Sequence, residues 1–186
     1  SSALGGLELP AGMQFTSDMK KAGERQDAIV LATASVYTRG VARELRPYVK
    51  TGQLLVCVAK GIEEKSLLFQ TDEVQEEIPD AVVACLSGPS HAEEVARRLP
   101  TTCVAGAADS AVAEQVQALF MNRVFRVYTS TDVKGIELGG AVKNVIALAA
   151  GIADGLGYGD NTKAALITRG IAETARLGVK LGAHWE

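Results

Sequence analysis

Five short apolar runs recur through the first 130 residues: DAIVLATAS (27–35), LLVCVAK (54–60), DAVVACLSGPS (80–90), TTCVA (101–105) and VFRVYT (124–129). Each is too short for a membrane helix and ends in small, polar or glycine residues, which is how a strand buried on both faces reads. Between them the spacing turns helical. Val41, Leu45 and Val49 share one stripe, 67–78 carries acidic residues on an outer face, 90–98 is a short helix, and Asp109 caps one running to Phe120. Ser17 or Asp18 caps a further short helix through Arg25. Strands alternating with helices predict βαβ units and a mostly parallel sheet covered on both faces. The Gly- and Ser-rich start, 1–12, carries no periodic pattern.

After Thr129 the alternation stops. Residues 132–157 read DVKGIELGGAVKNVIALAAGIADGLG, where Glu137, Lys143 and Asn144 are the only polar side chains between Gly135 and Ala153. Such a segment predicts a buried helix. Its longest unbroken apolar run, 145–153, falls short of the ~20 residues that a membrane span requires. A Gly-rich turn at 154–161 leads to a helix over 162–182 with Ala165, Ile171, Ala175 and Leu181 on its apolar side. The expected organisation is an α/β unit over 1–130 and the start of an all-helical unit over 131–186. Lys143 then sits in a dry helix. A desolvated lysine loses preference for its charged form, which suits proton transfer; on position alone a lysine snorkelling to the surface along its stem is the slightly favoured alternative.

Net charge of −3 gives no reason to expect nucleic acid or an acidic membrane. Cys57, Cys85 and Cys103 lie inside strand-like runs and read as small buried apolar residues of a reducing compartment. His91 and His184 are too few and too far apart to suggest a metal site. No secretory signal pattern opens the sequence.

Ligands of open parallel sheets bind at the carboxyl ends of the strands, where this sequence has Ser35, Lys60 and the Ser87-Gly88-Pro89-Ser90 turn. Ser35 can be a helix cap and Lys60 an ordinary loop lysine. Ser90 with Glu93 has capping-box spacing, and Gly88 permits close backbone approach. With Lys60 alongside, the first amides of the helix at 90–98 make a candidate anion site. No G-x-G-x-x-G follows any strand, so 27–35 reads as a later strand of a Rossmann-like sheet.

KGIE (60–63), LSGPSHAEEVA (86–96) and the long block FRVYTSTDVKGIELGGAVKNVIALAAGIADGLGYGDNTKAALITRG (125–170) strongly resemble the NAD(P)-dependent glycerol-3-phosphate dehydrogenases of bacterial and plastid type. The similarity covers nearly all of 27–186, and the long block is the specific part. The resemblance implies a Rossmann domain and a helical domain with the active site between them, reducing dihydroxyacetone phosphate to sn-glycerol 3-phosphate with NADH or NADPH. It implies Lys143 as catalytic acid/base. It makes Lys60, Gly88, Ser90, Lys143 and Asn144 the substrate contacts, and Tyr37, Lys60 and Ala92 the cofactor contacts. A homodimer without a membrane span, in the cytoplasm or plastid stroma, is the expected setting. The family's Gly-rich loop and its downstream Asp and Arg-Asn residues are absent, Ala34 replaces a usual Pro and His91 a usual Phe. The chain is therefore expected to be part of a longer enzyme. Two alternatives stay open: a β-hydroxyacid dehydrogenase, and a non-catalytic binding or dimerisation remnant of the fold.

Overall fold

The computed structural model describes residues 9–184, so the first eight residues of the Gly- and Ser-rich start lie outside it. Five strands, β1 (Ala28–Leu31), β2 (Leu54–Cys57), β3 (Val82–Ser87), β4 (Thr101–Gly106) and β5 (Phe125–Ser130), form one sheet in the order β1-β2-β3-β4-β5. Among the described residues seven α-helices accompany them: α1 (Met19–Gly23), α2 (Thr38–Leu45), α3 (Gln70–Glu77), α4 (Ala92–Ala96), α5 (Ser110–Phe120), α6 (Val133–Gly155) and α7 (Gly159–Lys180). This is a Rossmann-like α/β sheet followed by a helical region. Pairing is parallel throughout except between β3 and β4, which run antiparallel with Ser87 opposite Val104.

The inner strands β2 and β3 read as continuous apolar runs because both faces are covered, whereas β5, at the edge, leaves Arg126, Tyr128 and Thr129 exposed. Along β2, Leu55 and Cys57 join Leu31, Leu45, Val74 and Ile78 on one face. Val56, between them, joins Leu86, Cys103, Val116 and Val127 on the other. Side chains of a strand alternate between faces, so a strand sandwiched by helices has no polar side left to show. The three cysteines are buried free thiols; burial pushes Cys85 up to about 12.

Local chemistry sets the helix starts. Asp18 caps α1 through Lys20 N at 3.0 Å, and Asp109 caps α5 through Ala111 N at 2.9 Å. Asp132 caps α6 through Gly135 N at 3.0 Å, while its second oxygen takes the His184 amide at 3.1 Å and ties the end of α7 to the start of α6. Other starts differ from expectation. α3 begins at Gln70, not Leu67, because Leu67 takes a left-handed φ of 60° and Ile62 pairs with Phe69 in an isolated bridge. Its acidic face is not all outer, since Glu73 is buried. The turn before α7 is shorter than 154–161, and the helix starts at Gly159.

The largest difference concerns α6. Its first half packs over β3 and β4, with Leu138 buried and Ile136 lying against Gly106. Its second half is largely open: Val145 is 71%, Leu148 67% and Ile152 55% exposed, and Ala153 is the buried residue there. On α7 the expected apolar side is also open, with Ile171 62% exposed. The two helices pack on each other, and a pair of helices covers only one stripe of each. By length and composition α6 passes for a membrane span, contrary to the expectation from its apolar run, but its first half is docked on the sheet.

Candidate active site

β1, β2 and β3 run parallel, so their carboxyl ends lie along one edge. Past β2 the chain continues through Val58 and Ala59 to Lys60, and past β3 it turns through Gly88 and Pro89 to Ser90. Lys60 Nζ donates to Ser90 Oγ at 3.2 Å, and Ser90 Oγ donates to the Gly88 carbonyl at 3.3 Å. Gly88 has φ +156°, and a Cβ there would lie 2.8 Å from the Thr102 carbonyl oxygen and 2.9 Å from Cys103 Cα. Only glycine lets this turn pass so close to β4.

The KGIE segment is an elbow that aims Lys60. Gly61 presses on Ser35, whose Cβ and Oγ would lie 2.7 Å from an added methyl. Glu63 receives both Arg39 Nε (2.6 Å) and Nη2 (2.8 Å) in a bidentate pair. Those bonds, with one from Ser66, hold the Glu63 carboxyl down to about 2. Burial lowers the pKa of Lys60, and Lys143 adds a smaller push in the same direction.

α6 supplies the opposing wall. It advances along β3 from Ile136, beside Gly106, to Gly140, where an added Cβ would meet Ser87 Oγ at 2.7 Å and Lys60 Cγ at 3.5 Å. Beyond the strand end, Lys143 joins Lys60, Gly88, Pro89, Ser90, His91, Ala92, Glu93 and Glu94 around a cavity of about 410 Å³. A second hollow of about 320 Å³ shares Gly88, Pro89 and Lys143 and is floored by Gly139 and Gly140. Two cationic side chains and a hydroxyl thus converge from two parts of the chain, a donor set suited to a small oxyanion and to charge developing on a carbonyl oxygen.

Several expectations change here. Lys143 is exposed rather than walled in by aliphatic groups; the desolvated lysine of the pair is Lys60. Asn144 is exposed and its Oδ1 accepts from Lys143 Nζ at 3.0 Å. Ser90 forms no capping box, because the N-cap of α4 is His91 and that helix has five residues. So short a helix aligns few peptide dipoles, and attraction for an anion falls to the two lysines. Tyr37 is 65% exposed after β1 and does not border the cavity, whereas Ala92 does. Glu63, Arg39 and the buried Glu137 were missed as contributors. Glu63 and Arg39 look like ordinary surface charges in sequence, and Glu137's only signal was a lone carboxylate in an apolar helix.

Residues 1–113 match the family described as NAD-dependent glycerol-3-phosphate dehydrogenase N-terminus, and residues 132–186 match its C-terminal counterpart. The chain belongs to the NAD-dependent glycerol-3-phosphate dehydrogenase family. It is 61% identical over 98% of its length to a glycerol-3-phosphate dehydrogenase [NAD(P)+] of Agathobacter rectalis, covering 54% of that protein. A Fusobacterium nucleatum protein of the same name is 53% identical over 94% of the chain, with 52% of that relative covered. The crystal structure of glycerol-3-phosphate dehydrogenase from Coxiella burnetii superposes with a TM-score of 0.90 at 32% identity, covering 97% of this chain and 55% of that one. The chain thus spans about half the length of the glycerol-3-phosphate dehydrogenases it matches.

Proposed function

We propose that the intact protein carrying this chain reduces dihydroxyacetone phosphate to sn-glycerol 3-phosphate with NADH or NADPH. The observation that carries the reading is the convergence of Lys60, Ser90 and Lys143 on one cavity at the carboxyl edge of the sheet. In this reading residues up to about 130 belong to the cofactor-binding domain and the rest to the substrate domain. The same edge fits the nicotinamide end of a dinucleotide: Tyr37 offers an exposed ring after β1, and Lys60 and Ala92 border the cavity. The bound cofactor supplies the hydride. When the carbonyl is reduced, Lys143 Nζ would give its oxygen a proton and be reprotonated from water. Lys60, held by Ser90, neutralises the substrate's negative charge. Gly88 allows the turn to approach the substrate, and Asn144 orients the Lys143 amine.

The exposed apolar side chains of α6 and α7 support a cover by the remainder of the helical domain and by a second copy, and sedimentation of the intact protein tests the homodimer. The activity is tested by oxidation of reduced nicotinamide in the presence of dihydroxyacetone phosphate. Turnover of hydroxy acids lacking phosphate, with none of the phosphorylated substrate, would point to a β-hydroxyacid dehydrogenase. Absence of thermal stabilisation by either ligand would leave a non-catalytic remnant.

A further inference from the structure

Helix α3 starts without a cap of its own. Phe69 occupies its N-cap position and no side chain there accepts a bond. The first amides of a helix lack intrahelical partners, and here the first two residues, Gln70 and Thr71, are buried. The acceptor comes from α6. Glu137 takes the Thr71 backbone N–H on Oε1 at 3.2 Å and the Thr71 hydroxyl on Oε2. The receiving turn is itself pinned. Thr38 Oγ1, at the start of α2, donates to Gln70 Oε1 at 2.5 Å, and Gln70 Nε2 donates to Glu73 Oε1 at 2.7 Å.

Glu137 is only 6% exposed, flanked along the helix by Ile136, Leu138, Gly139 and Gly140. An apolar residue here would leave the buried Thr71 N–H and hydroxyl without an acceptor, whereas the carboxylate satisfies both at the cost of losing its own water. Its use lies in direction. Glu137, Gly140 and Lys143 are spaced by three, and each such step advances ~4.5 Å and swings the contact side by ~60°. The first seats on α3, the second slides past Ser87 and Lys60, and the third reaches the cavity. Gly140 permits the close approach but has no side chain to select a rotation. Glu137, with two directional bonds, selects one.

We infer that Glu137 is a positioning residue: its bonds to Thr71 set the rotation of α6 on the sheet and so hold Lys143 over the cavity shared with Lys60 and Ser90. The inference rests on the dehydrogenase reading above. It is tested in the intact protein with dihydroxyacetone phosphate and reduced nicotinamide, comparing Glu137→Ala and Glu137→Gln with wild type well below their melting temperatures. Glu137→Ala is expected to lower kcat by about 10–100-fold, the scale of an ångström-sized misplacement of a catalytic group. KM for the phosphorylated substrate should change less than kcat. Glu137→Gln, whose amide oxygen still accepts the Thr71 N–H, should recover kcat to within about threefold of wild type. Should Glu137→Ala fail to fold, the pair Thr71→Val and Thr71→Ser decides: valine should lower kcat and serine restore it. A folded Glu137→Ala with wild-type kcat, a Glu137→Gln as slow as alanine, or a Thr71→Val as fast as Thr71→Ser overturns the inference alone. A wild-type protein without turnover overturns the dehydrogenase reading first, and this inference with it.

Discussion

The sheet and the α6–α7 pair are both rich in aliphatic residues, yet they treat them differently. Leu55, on β2, is fully buried between helices, whereas Leu148, on α6, is 67% exposed. Composition alone does not bury a side chain; a second layer does. The sheet has its layers within the chain, α2 and α3 over one face and α5 over the other. The helical pair has only itself, the strip of sheet beneath the first half of α6 and the start of α3. Stability is therefore concentrated in the sheet, while the residue expected to move a proton stands on the thinly covered helix.

That division can be broken most directly at Lys143. Lys143→Ala in the intact protein is expected to lose about 10²–10⁴-fold in kcat with an unchanged melting temperature, because the side chain is exposed. Near-normal turnover would remove Lys143 from the chemistry. The same residue type then sharpens the contrast in stability. Leu55→Ala should cost about 2–5 kcal/mol as a filled core position is emptied, while Leu148→Ala in this chain should stay within about 0.5 kcal/mol. Urea unfolding measures both, and similar losses would mean that the outer face of α6 is covered after all.

Two adjacent glycines on α6 give a finer test. An added Cβ at Gly140 would lie 2.7 Å from Ser87 Oγ, whereas nothing lies within 4 Å of one at Gly139. Gly140→Ala should destabilise by about 1–3 kcal/mol through overpacking. Gly139→Ala should stabilise by up to about 1 kcal/mol through helix propensity. Thermal melts that place both on the same side of wild type would refute the close approach of α6 to β3.

A further effect is in pH. Burial pushes the carboxyls of Glu137 and Glu73 from the ordinary 4.5 up to about 7. Between those values the folded protein keeps protons that the unfolded chain has released. The stability they contribute is full below pH 4.5 and is lost as pH rises through 7. Glu137→Gln should flatten that decline by roughly 1–2 kcal/mol between about pH 5 and pH 7, read from urea midpoints. A slope identical to wild type would show that Glu137 binds no extra proton on folding.

Much of the molecule was legible in advance. β1, β2 and β3 fall within the apolar runs and β4 and β5 end one residue beyond theirs, because burial on both faces writes itself into nearly every residue of an inner strand. The cap at Asp109 was legible too, and the one at Asp18 as one of two candidates with Ser17, since a short polar side chain before a helical stripe acts within two residues. Lys60, Ser90 and Lys143 could be named as residues, but not their convergence, which depends on α6 running along β3 and past its end. Ser90 shows how a local rule yields to tertiary context: its hydroxyl, spaced for a capping box, is taken by Lys60 and the Gly88 carbonyl.

By itself the amino-acid order determined the alternation of strands and helices, the break near residue 130 and the resemblance to a dehydrogenase family, because each is carried by neighbours along the chain. Only the tertiary structure decided which lysine is desolvated, that half of the most apolar helix stays open, and that Glu137 caps a helix 66 residues away in sequence. Those outcomes turn on what packs against a side chain, and packing partners far apart in sequence leave no local pattern to read.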